Sequence, residues 1–379
     1  MKRIITLSAT LVLLLVSIAA AAERAAGDVQ KNFNVSNGGR LVVNVGGGDI
    51  TVRIWDKMQV QLTARNIGDD ADRLEATQDG NTVTVKYRPR SGWFNSTHDL
   101  SFDFYVPKDF NVDLNTSGGD VKISGPLQGD ADMHTSGGDL TLDGVSGKVD
   151  GKTSGGDIIA HDIGGEADLA TSGGDIQIGN AGKDLSITTS GGDISVGSVQ
   201  GNLRAATSGG DMSIKKVGGN LSASTSSGDV VVGEVGGSVD LNTAGGDISL
   251  KSGNGRVSAN TSGGDVDISR AVGSADVYSS GGTVKVGLVP KGDGSSKIES
   301  SGGDVYLYLP PDAKVTISAA ISGGDNDQIQ TDFPVTYKSS SSRRAEFTMN
   351  GGGQAIYLHT SSGNIYIKKL NSSEKQGGK

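Results

Sequence analysis

The chain has 379 residues, of which 60 are glycine, 7 are proline and none is cysteine, and its formal net charge is −9. Collagen is excluded because it needs glycine at every third position with abundant proline, and a disulfide-stabilised miniprotein is excluded because cysteine is absent. The acidic balance argues against a nucleic-acid-binding protein, whose surface would carry a basic patch. Because 35% of the residues are hydrophobic and recur in an ordered pattern, the chain is not a flexible linker.

Segment 1–22 is typical of a signal peptide. Two basic residues precede an apolar run over 4–20, and three alanines then precede Glu23. Small residues after such a run form the pattern that a signal peptidase accepts. The alternative is a permanent membrane anchor, but the run is at the lower length limit for a membrane-spanning helix. We expect cleavage after Ala22, no stable membrane span afterwards, and an extracytoplasmic protein in the periplasm, at the cell surface or secreted.

Residues 23–115 are predicted to form an N-terminal β-rich cap. Short runs of alternating apolar residues indicate strands, for example over 50–54 and 100–106, and the segment holds bulky aromatics such as Trp55 and Phe102. A repeat array needs atypical terminal units that cover its open strand edges. Aromatic residues suit that role, and ligand binding is the alternative role for these aromatic residues.

A repeat with a constant period occupies residues 116–290. The string Thr-Ser-Gly-Gly-Asp recurs, and its last position falls at Asp120, Asp139, Asp157, Asp175, Asp193, Asp211, Asp229, Asp247, Asp265 and Thr283. The first spacing is 19 residues and the next eight are all 18. Looser copies have the same position at Asp49, Asp304, Asp325 and Asn364. We call these residues the aspartate column. Self-similarity of this kind is typical of a repeat array.

Each period contains two short strands. After Asp193, apolar residues alternate with polar ones around Ser195, and a second alternating run surrounds Arg204. Two such strands cannot bury a core alone, but stacking on the next copy at about 4.8 Å would. The sequence therefore predicts an all-β protein, a β-solenoid resembling a parallel β-helix or β-roll, with 18-residue, two-strand repeats and β-rich capping regions at both ends. A sandwich of meandering strands is the alternative.

Glycine precedes the column position in every copy, whereas the residue before that glycine can be serine, as at Ser227 and Ser362. We interpret the invariant glycine as a turn residue with positive φ, which other residues adopt only at a cost. No helix follows these turns, so they do not form a phosphate-binding loop.

Residues 291–370 carry longer repeats and are predicted to form the C-terminal cap, followed by a disordered tail over 371–379. The cap includes Tyr306 and Tyr308, and such aromatic residues again favour a role in covering open strand edges. Ligand binding is the alternative role.

Three segments resemble a bacterial family known as putative adhesins. They are Gly-Gly-Asp-Ile-Thr-Val over 47–52, the stretch over 104–120 that runs from Phe-Tyr-Val-Pro-Lys-Asp into the first repeat, and Thr-Ser-Ser-Gly-Asn-Ile-Tyr-Ile over 360–367. The likeness extends over residues 30–370. It implies a stacked β fold outside the cytoplasm, and it supplies no functional residues.

No catalytic, cofactor or metal site is predicted, and the binding residues are unknown. The histidines, His98, His134, His161 and His359, show no partner spacing and are interpreted as solvated surface residues. Nothing pairs a serine with a base as nucleophilic catalysis requires. A polysaccharide-acting parallel β-helix enzyme would need grouped carboxylates beside cleft-forming loops, for which an 18-residue coil has no room. We therefore expect no enzyme.

The aspartate column also suggests a calcium-stabilised β-roll, but calcium β-rolls use a different glycine spacing. Thr283 and Asn364 keep a hydrogen-bonding oxygen without the charge, which favours a structural role in which the side chain accepts a hydrogen bond from a backbone amide. The function predicted from the sequence is an exported, non-enzymatic scaffold, an adhesin-like surface or envelope interaction protein. Its partner would be a carbohydrate or protein of the envelope or cell surface, and not nucleic acid.

Overall fold

The computed structural model describes residues 28–89, 100–323 and 327–370. The predicted signal peptide, the predicted tail, His98 and Asp325 lie outside these residues. Strands make up the regular structure of the described ranges, apart from one short 3-10 helix, Gly68–Arg73. No helix in those ranges has the length and apolar character needed to cross a membrane.

The strands fall into three groups along the chain. The N-terminal strands are β1 (Val29–Asn34), β2 (Gly39–Val45), β3 (Asp49–Trp55), β4 (Gln59–Arg65), β5 (Leu74–Asp79), β6 (Thr82–Tyr87) and β7 (Ser101–Pro107). The regular strands are β8 (Phe110–Thr116), β9 (Val121–Leu127), β10 (Ala131–His134), β11 (Leu140–Val145), β12 (Val149–Lys152), β13 (Ile158–Ile163), β14 (Ala167–Ala170), β15 (Ile176–Ala181), β16 (Leu185–Thr188), β17 (Ile194–Val199), β18 (Leu203–Ala206), β19 (Met212–Val217), β20 (Leu221–Ser224), β21 (Val230–Val235), β22 (Val239–Asn242), β23 (Ile248–Thr261) and β24 (Val266–Ser279). The C-terminal strands are β25 (Val284–Pro290), β26 (Ser296–Ser300), β27 (Val305–Leu309), β28 (Val315–Ile321), β29 (Ile329–Thr331), β30 (Thr336–Ser340), β31 (Arg344–Met349), β32 (Gln354–Thr360) and β33 (Ile365–Lys369).

One coil of the solenoid contains a six-residue strand, a turn, a four-residue strand and a second turn. Strands of the same kind stack in parallel and in register, so that Ile194 pairs with Met212 in the next coil and Leu203 pairs with Leu221. The six-residue strands build one face, which we call the long-strand sheet, and the four-residue strands build the short-strand sheet. The 14-residue strands β23 and β24 pass from one face to the other without a break. The predicted β-solenoid is confirmed.

The core runs along the axis between the two sheets. Leu203, Leu221 and Leu241 are buried. Ser195 on β17 and Arg204 on β18 are exposed, as the alternation predicts. Each inward side chain contacts its equivalent in the neighbouring coil, which gives a continuous apolar column. At the N-terminal end the core includes larger side chains, and Phe102 and Phe104 are fully buried there.

The predicted positive φ is wrong for most of the invariant glycines. Of those among the described residues, only Gly48 and Gly363 have a positive φ, of 97° and 130°. The others are glycine because coils approach closely: a Cβ on Gly192 would overlap the carbonyl oxygen of Gly174 in the preceding coil. At the neighbouring Gly191 a Cβ would lie 3.3 Å from the nearest carbonyl oxygen, which explains why serine is tolerated at that position.

The terminal coils do not follow chain order. The first coil, β2 with β3, lies between the coil of β6 with β7 and the coil of β8 with β9. At the other end the last coil, β32 with β33, lies between β26 with β27 and β28 with β29. Each end of the stack is therefore built from segments that are distant in the sequence.

Antiparallel strands cover both ends of the short-strand sheet and one end of the long-strand sheet. β5 pairs antiparallel with β6, and β4 pairs antiparallel with both β7 and β1. At the C-terminal end β31 pairs antiparallel with β28 and with β30, while the three-residue strand β29 ends the long-strand sheet. Parallel coils present open backbone edges, so these capping strands protect the stack from edge-to-edge pairing.

Candidate functional site

The aspartate column is a ladder of hydrogen bonds along one edge of the solenoid. The Oδ1 atom of Asp193 accepts a hydrogen bond from the backbone N–H of Asp211 at 2.8 Å, and Asp211 accepts one from Asp229 in the same way. Accepting an amide hydrogen bond is the role predicted for these carboxylates. The donor belongs to the next coil rather than to the turn of the same coil, so each bond joins two repeats.

The column extends into the looser copies. The N–H of Asp120 donates to Asp49 Oδ1 at 3.0 Å, and the N–H of Asn364 donates to Asp304 Oδ1 at 2.7 Å. Asn364 Oδ1 in turn accepts a hydrogen bond from the N–H of Gln328 at 2.9 Å, so an uncharged amide oxygen can replace the carboxylate as acceptor. The ladder therefore marks the spatial order of the coils, including those that are out of chain order.

A second column, of buried hydroxyls, runs beside the first. Thr207 Oγ1 donates to the carbonyl oxygen of Gly192 at 2.9 Å and accepts a hydrogen bond from the N–H of Gly210 at 3.3 Å. The same position is buried at Thr116, Thr135, Thr153, Thr171, Thr189, Thr207, Thr225, Thr243, Thr261, Ser279, Ser300 and Thr360. Buried turn groups need such partners, so both columns serve the stacking of coils.

The three described histidines lie on different coils. His134 Nδ1 is 2.9 Å from Asp132 Oδ1 on the short-strand sheet, and His161 Nδ1 is 3.5 Å from Asp143 Oδ1 on the long-strand sheet. His359 lies near the C-terminal end, where its Nε2 atom is 2.7 Å from Ser322 Oγ. The structure brings no two of them together.

Exposed aromatic residues gather on the outward face of the short-strand sheet near its C-terminal end. We call this group, Tyr278, Lys297, Glu299, Tyr357 and His359, the tyrosine face. Tyr278, Glu299 and His359 are register partners across β24, β26 and β32, and Lys297 is the partner of Tyr357. Tyr278 is 37% exposed and Tyr357 is 38% exposed. A flat surface of three strands thus presents two aromatic rings and a charged pair to solvent.

Polar contacts hold the tyrosine face in place. Lys297 Nζ lies 2.6 Å from Glu299 Oε2, and this hydrogen bond raises the pKa of Lys297. Ser280 Oγ donates to the Tyr278 hydroxyl at 3.0 Å, which lowers the pKa of that phenol. The rings of Tyr357 and His359 are stacked with their centroids 6.2 Å apart. Beside Tyr357, an open groove is lined by hydroxyls and charges.

The long-strand sheet carries a different aromatic group at the same end. The rings of Tyr306 and Tyr366 stack at 4.6 Å, and Lys368 Nζ lies 5.2 Å from the centroid of Tyr306. Burial, followed by the nearby Asp304 carboxylate, raises the pKa of Tyr306 to about 12. These two rings cover each other, so they stabilise the sheet as a cross-strand pair and offer less free surface than the tyrosine face.

The sequence pattern contains no sign of the tyrosine face. Tyr357 and His359 follow Tyr278 by about 80 residues in the chain, and only the insertion of β32 beside β26 brings them together. Alternation within each strand indicates which side chains point outward, but it does not identify the neighbouring strand.

The sequence profile of the Toastrack DUF4097 family matches residues 39–235 and 200–368. The chain belongs to this family, and the resemblance to adhesin-like proteins is confirmed. No sequence among the curated proteins matches the chain.

Solved structures that the chain matches include three bacterial proteins. A putative cell adhesion protein from Clostridium sporogenes is 9% identical and covers 90% of this chain and 99% of its own, with a TM-score of 0.17. A putative adhesin from Bacteroides fragilis is 13% identical and covers 90% and 96%, with a TM-score of 0.24. A putative lipid binding protein from Parabacteroides distasonis is 14% identical and covers 91% and 98%, with a TM-score of 0.21.

Proposed function

We propose that the protein is an exported, non-enzymatic adhesion module that binds a carbohydrate polymer of the cell envelope or cell surface through the tyrosine face. The observation that carries this proposal is the pair of exposed rings, Tyr278 and Tyr357, on a flat sheet surface with a charged pair between them. Membership of an adhesin-like family supports a binding role.

The chemistry of the face suits a sugar chain. The C–H face of a pyranose ring packs on an exposed aromatic ring, while its hydroxyls need donors and acceptors such as Lys297 and Glu299. Tyr278 and Tyr357 stand two strands apart, which is about 10 Å across the sheet. That separation matches an oligosaccharide segment better than a single sugar.

The proposal of a non-enzymatic role is supported by the regular coils. Between Leu140 and Asn242 the turns alternate between three and five residues in every coil, and this segment has no inserted loop that would build a cleft around two carboxylates. Incubation of the protein with its polysaccharide should leave the polymer length unchanged. New reducing ends would overturn the non-enzymatic part of the proposal.

Binding can be tested with purified envelope polysaccharides by isothermal titration calorimetry. We expect the double variant Tyr278→Ala, Tyr357→Ala to weaken binding at least tenfold, since each ring supplies a stacking surface. Tyr337→Ala is the matched control, because this tyrosine is 51% exposed but lies outside the tyrosine face. Unchanged binding by the double variant, or equal loss in the control, would contradict the proposal.

Export can be tested separately in the native host. Mass spectrometry of the mature protein should give an N-terminus at Glu23, and fractionation should place the protein outside the cytoplasm. An exported chain that begins at Met1 would refute the proposed cleavage.

A further inference from the structure

A line of carboxylates crosses the outward face of the short-strand sheet near its N-terminal end. Asp113, Asp132, Asp150 and Asp168 are register partners on four successive coils. Neighbouring charges one strand apart repel by about 1 kcal/mol even in water. Asp113 has a partner in Arg40, whose guanidinium lies 2.9 Å away, but the middle of the line has a different arrangement.

The middle of the line includes an imidazole. His134 follows Asp132 by two residues and therefore points to the same side of β10, and Asp150 is the register partner of Asp132 on β12. One ligand atom from each of Asp132, His134 and Asp150 lies within 4.8 Å of the other two. A carboxylate, an imidazole and a second carboxylate thus converge on one point of the surface.

The imidazole nitrogen has an incomplete environment. His134 Nδ1 is shielded from solvent and lies 2.9 Å from Asp132 Oδ1, yet the contact does not have the direction of a hydrogen bond. The nitrogen therefore lacks a directional hydrogen-bond partner. A cation that bridges Nδ1 and the two carboxylates would satisfy all three groups.

We propose that Asp132, His134 and Asp150 bind a divalent transition-metal ion such as Zn²⁺. A zinc ion lies about 2.0–2.2 Å from imidazole nitrogen and carboxylate oxygen, so small rotations of these three side chains would enclose it. Calcium prefers oxygen ligands alone, whereas an imidazole selects zinc, copper or nickel. The outward face leaves the remaining coordination positions open to water.

Lys152 acts as a competitor within the site. Its Nζ atom lies 2.8 Å from Asp150 Oδ1, and Lys152 is the register partner of His134. The ammonium balances the charge of the Asp150 carboxylate through this ion pair. A metal ion must displace this ammonium, so removal of the lysine charge should strengthen metal binding.

The test is a titration of the untagged full chain with Zn²⁺, in the presence of excess Mg²⁺ to occupy weak acidic surface sites. We expect one ion per chain, and at least tenfold weaker binding by His134→Ala, which lacks the nitrogen ligand. Lys152→Met should bind Zn²⁺ more tightly than the unchanged protein. Because His134 is on the surface, circular dichroism should show that both variants remain folded.

His161→Ala is the matched control, because His161 also faces an aspartate but belongs to no group of three possible metal ligands among the described residues. Nitrogen NMR of the histidine rings should show a shift of His134 Nδ1 on addition of Zn²⁺. Equal Zn²⁺ affinity in His134→Ala and the unchanged chain, or no shift at Nδ1, would overturn the assignment. The site lies on coils far from the tyrosine face, so the two proposals fail independently.

Discussion

Adjacent coils come closest at the glycine that precedes each aspartate of the column. Gly192 packs against the backbone of Gly174, while a Cβ on Gly191 beside it would lie 3.3 Å from the nearest carbonyl oxygen. Two neighbouring glycines in the same turn therefore have different reasons to be glycine. Only the first is required by the distance between coils.

Gly192→Ala should destabilise the protein by about 3 kcal/mol, because the added Cβ pushes two coils apart in a rigid stack. Gly191→Ala should change the free energy of unfolding by less than about 1 kcal/mol, since Ser227 already occupies the equivalent position. Urea unfolding of both variants provides the comparison. Similar losses at the two sites would mean that close approach is not the cause.

Asp193→Asn should be mild, because an amide oxygen still accepts the hydrogen bond from the N–H of Asp211 and the charge repulsion within the column decreases. Asp193→Leu should cost about 1–2 kcal/mol, since that N–H loses its partner. The two free energies of unfolding, measured side by side, check the prediction. A larger loss for asparagine than for leucine would show that the charge itself is needed.

Protonation of the Tyr306 hydroxyl makes the stability of the protein depend on pH in the alkaline range. Its pKa is raised from 10.0 to about 12 by burial and by Asp304, so the folded state holds this proton more tightly than the unfolded chain. The resulting stability is fully present below pH 10 and is lost as the pH rises through 12. We expect Tyr306→Phe to unfold with a weaker pH dependence in that window, measured by urea midpoints. An unchanged slope would contradict the shifted pKa.

At the level of the strand, alternation separates residues that hold the core from residues that face solvent. Leu203 on β18 lies between Leu185 and Leu221 of the adjacent coils and is buried, while Arg204 beside it is exposed. The same division applies to each four-residue strand, because its side chains point alternately to opposite faces. In the six-residue strands the alternation breaks once, as between Val196 and Val199.

Leu203→Ala should therefore cost 2–5 kcal/mol, roughly the range for a buried leucine whose cavity stays open. Arg204→Ala should stay within about 0.5 kcal/mol. Urea unfolding monitored by circular dichroism tests the pair. If both variants lost the same stability, the inward and outward assignment of β18 would be wrong.

Over the whole molecule, the column places nine aspartates from Asp120 to Asp265 along one edge of a chain with a net charge of −9. Their side-chain oxygens are held in place by backbone N–H groups, but the charges still repel through water at about one strand spacing. This repulsion is spread along the full length of the stack.

Moderate sodium chloride should raise the melting temperature by a few degrees through screening of this repulsion. Millimolar calcium, compared with sodium chloride at equal ionic strength, should raise it no further, because backbone amides already occupy one oxygen of each carboxylate. Differential scanning calorimetry measures both effects. A calcium-specific rise of many degrees, reversed by chelator, would instead support the calcium-stabilised β-roll.

The sequence by itself determined the regular part of the solenoid. A constant period of 18 and apolar residues at constant offsets leave one register in which every inward side chain meets its equivalent, and the alternation around Leu203 and Arg204 assigns them to opposite faces. The presence of Thr283 and Asn364 at the column position also indicated that the aspartates of the column accept hydrogen bonds. These inferences needed only contacts between neighbouring copies.

Only the tertiary structure decided the features that join distant or closely packed parts of the chain. The glycines before the column are explained by the backbone of the preceding coil, which a local φ argument does not include. The insertion of β2 and β32 out of chain order, and the tyrosine face beside β26, depend on which coil lies next to which. Periodicity specifies the faces of a strand, but the choice of its neighbour at the ends of the stack is made by packing and edge coverage.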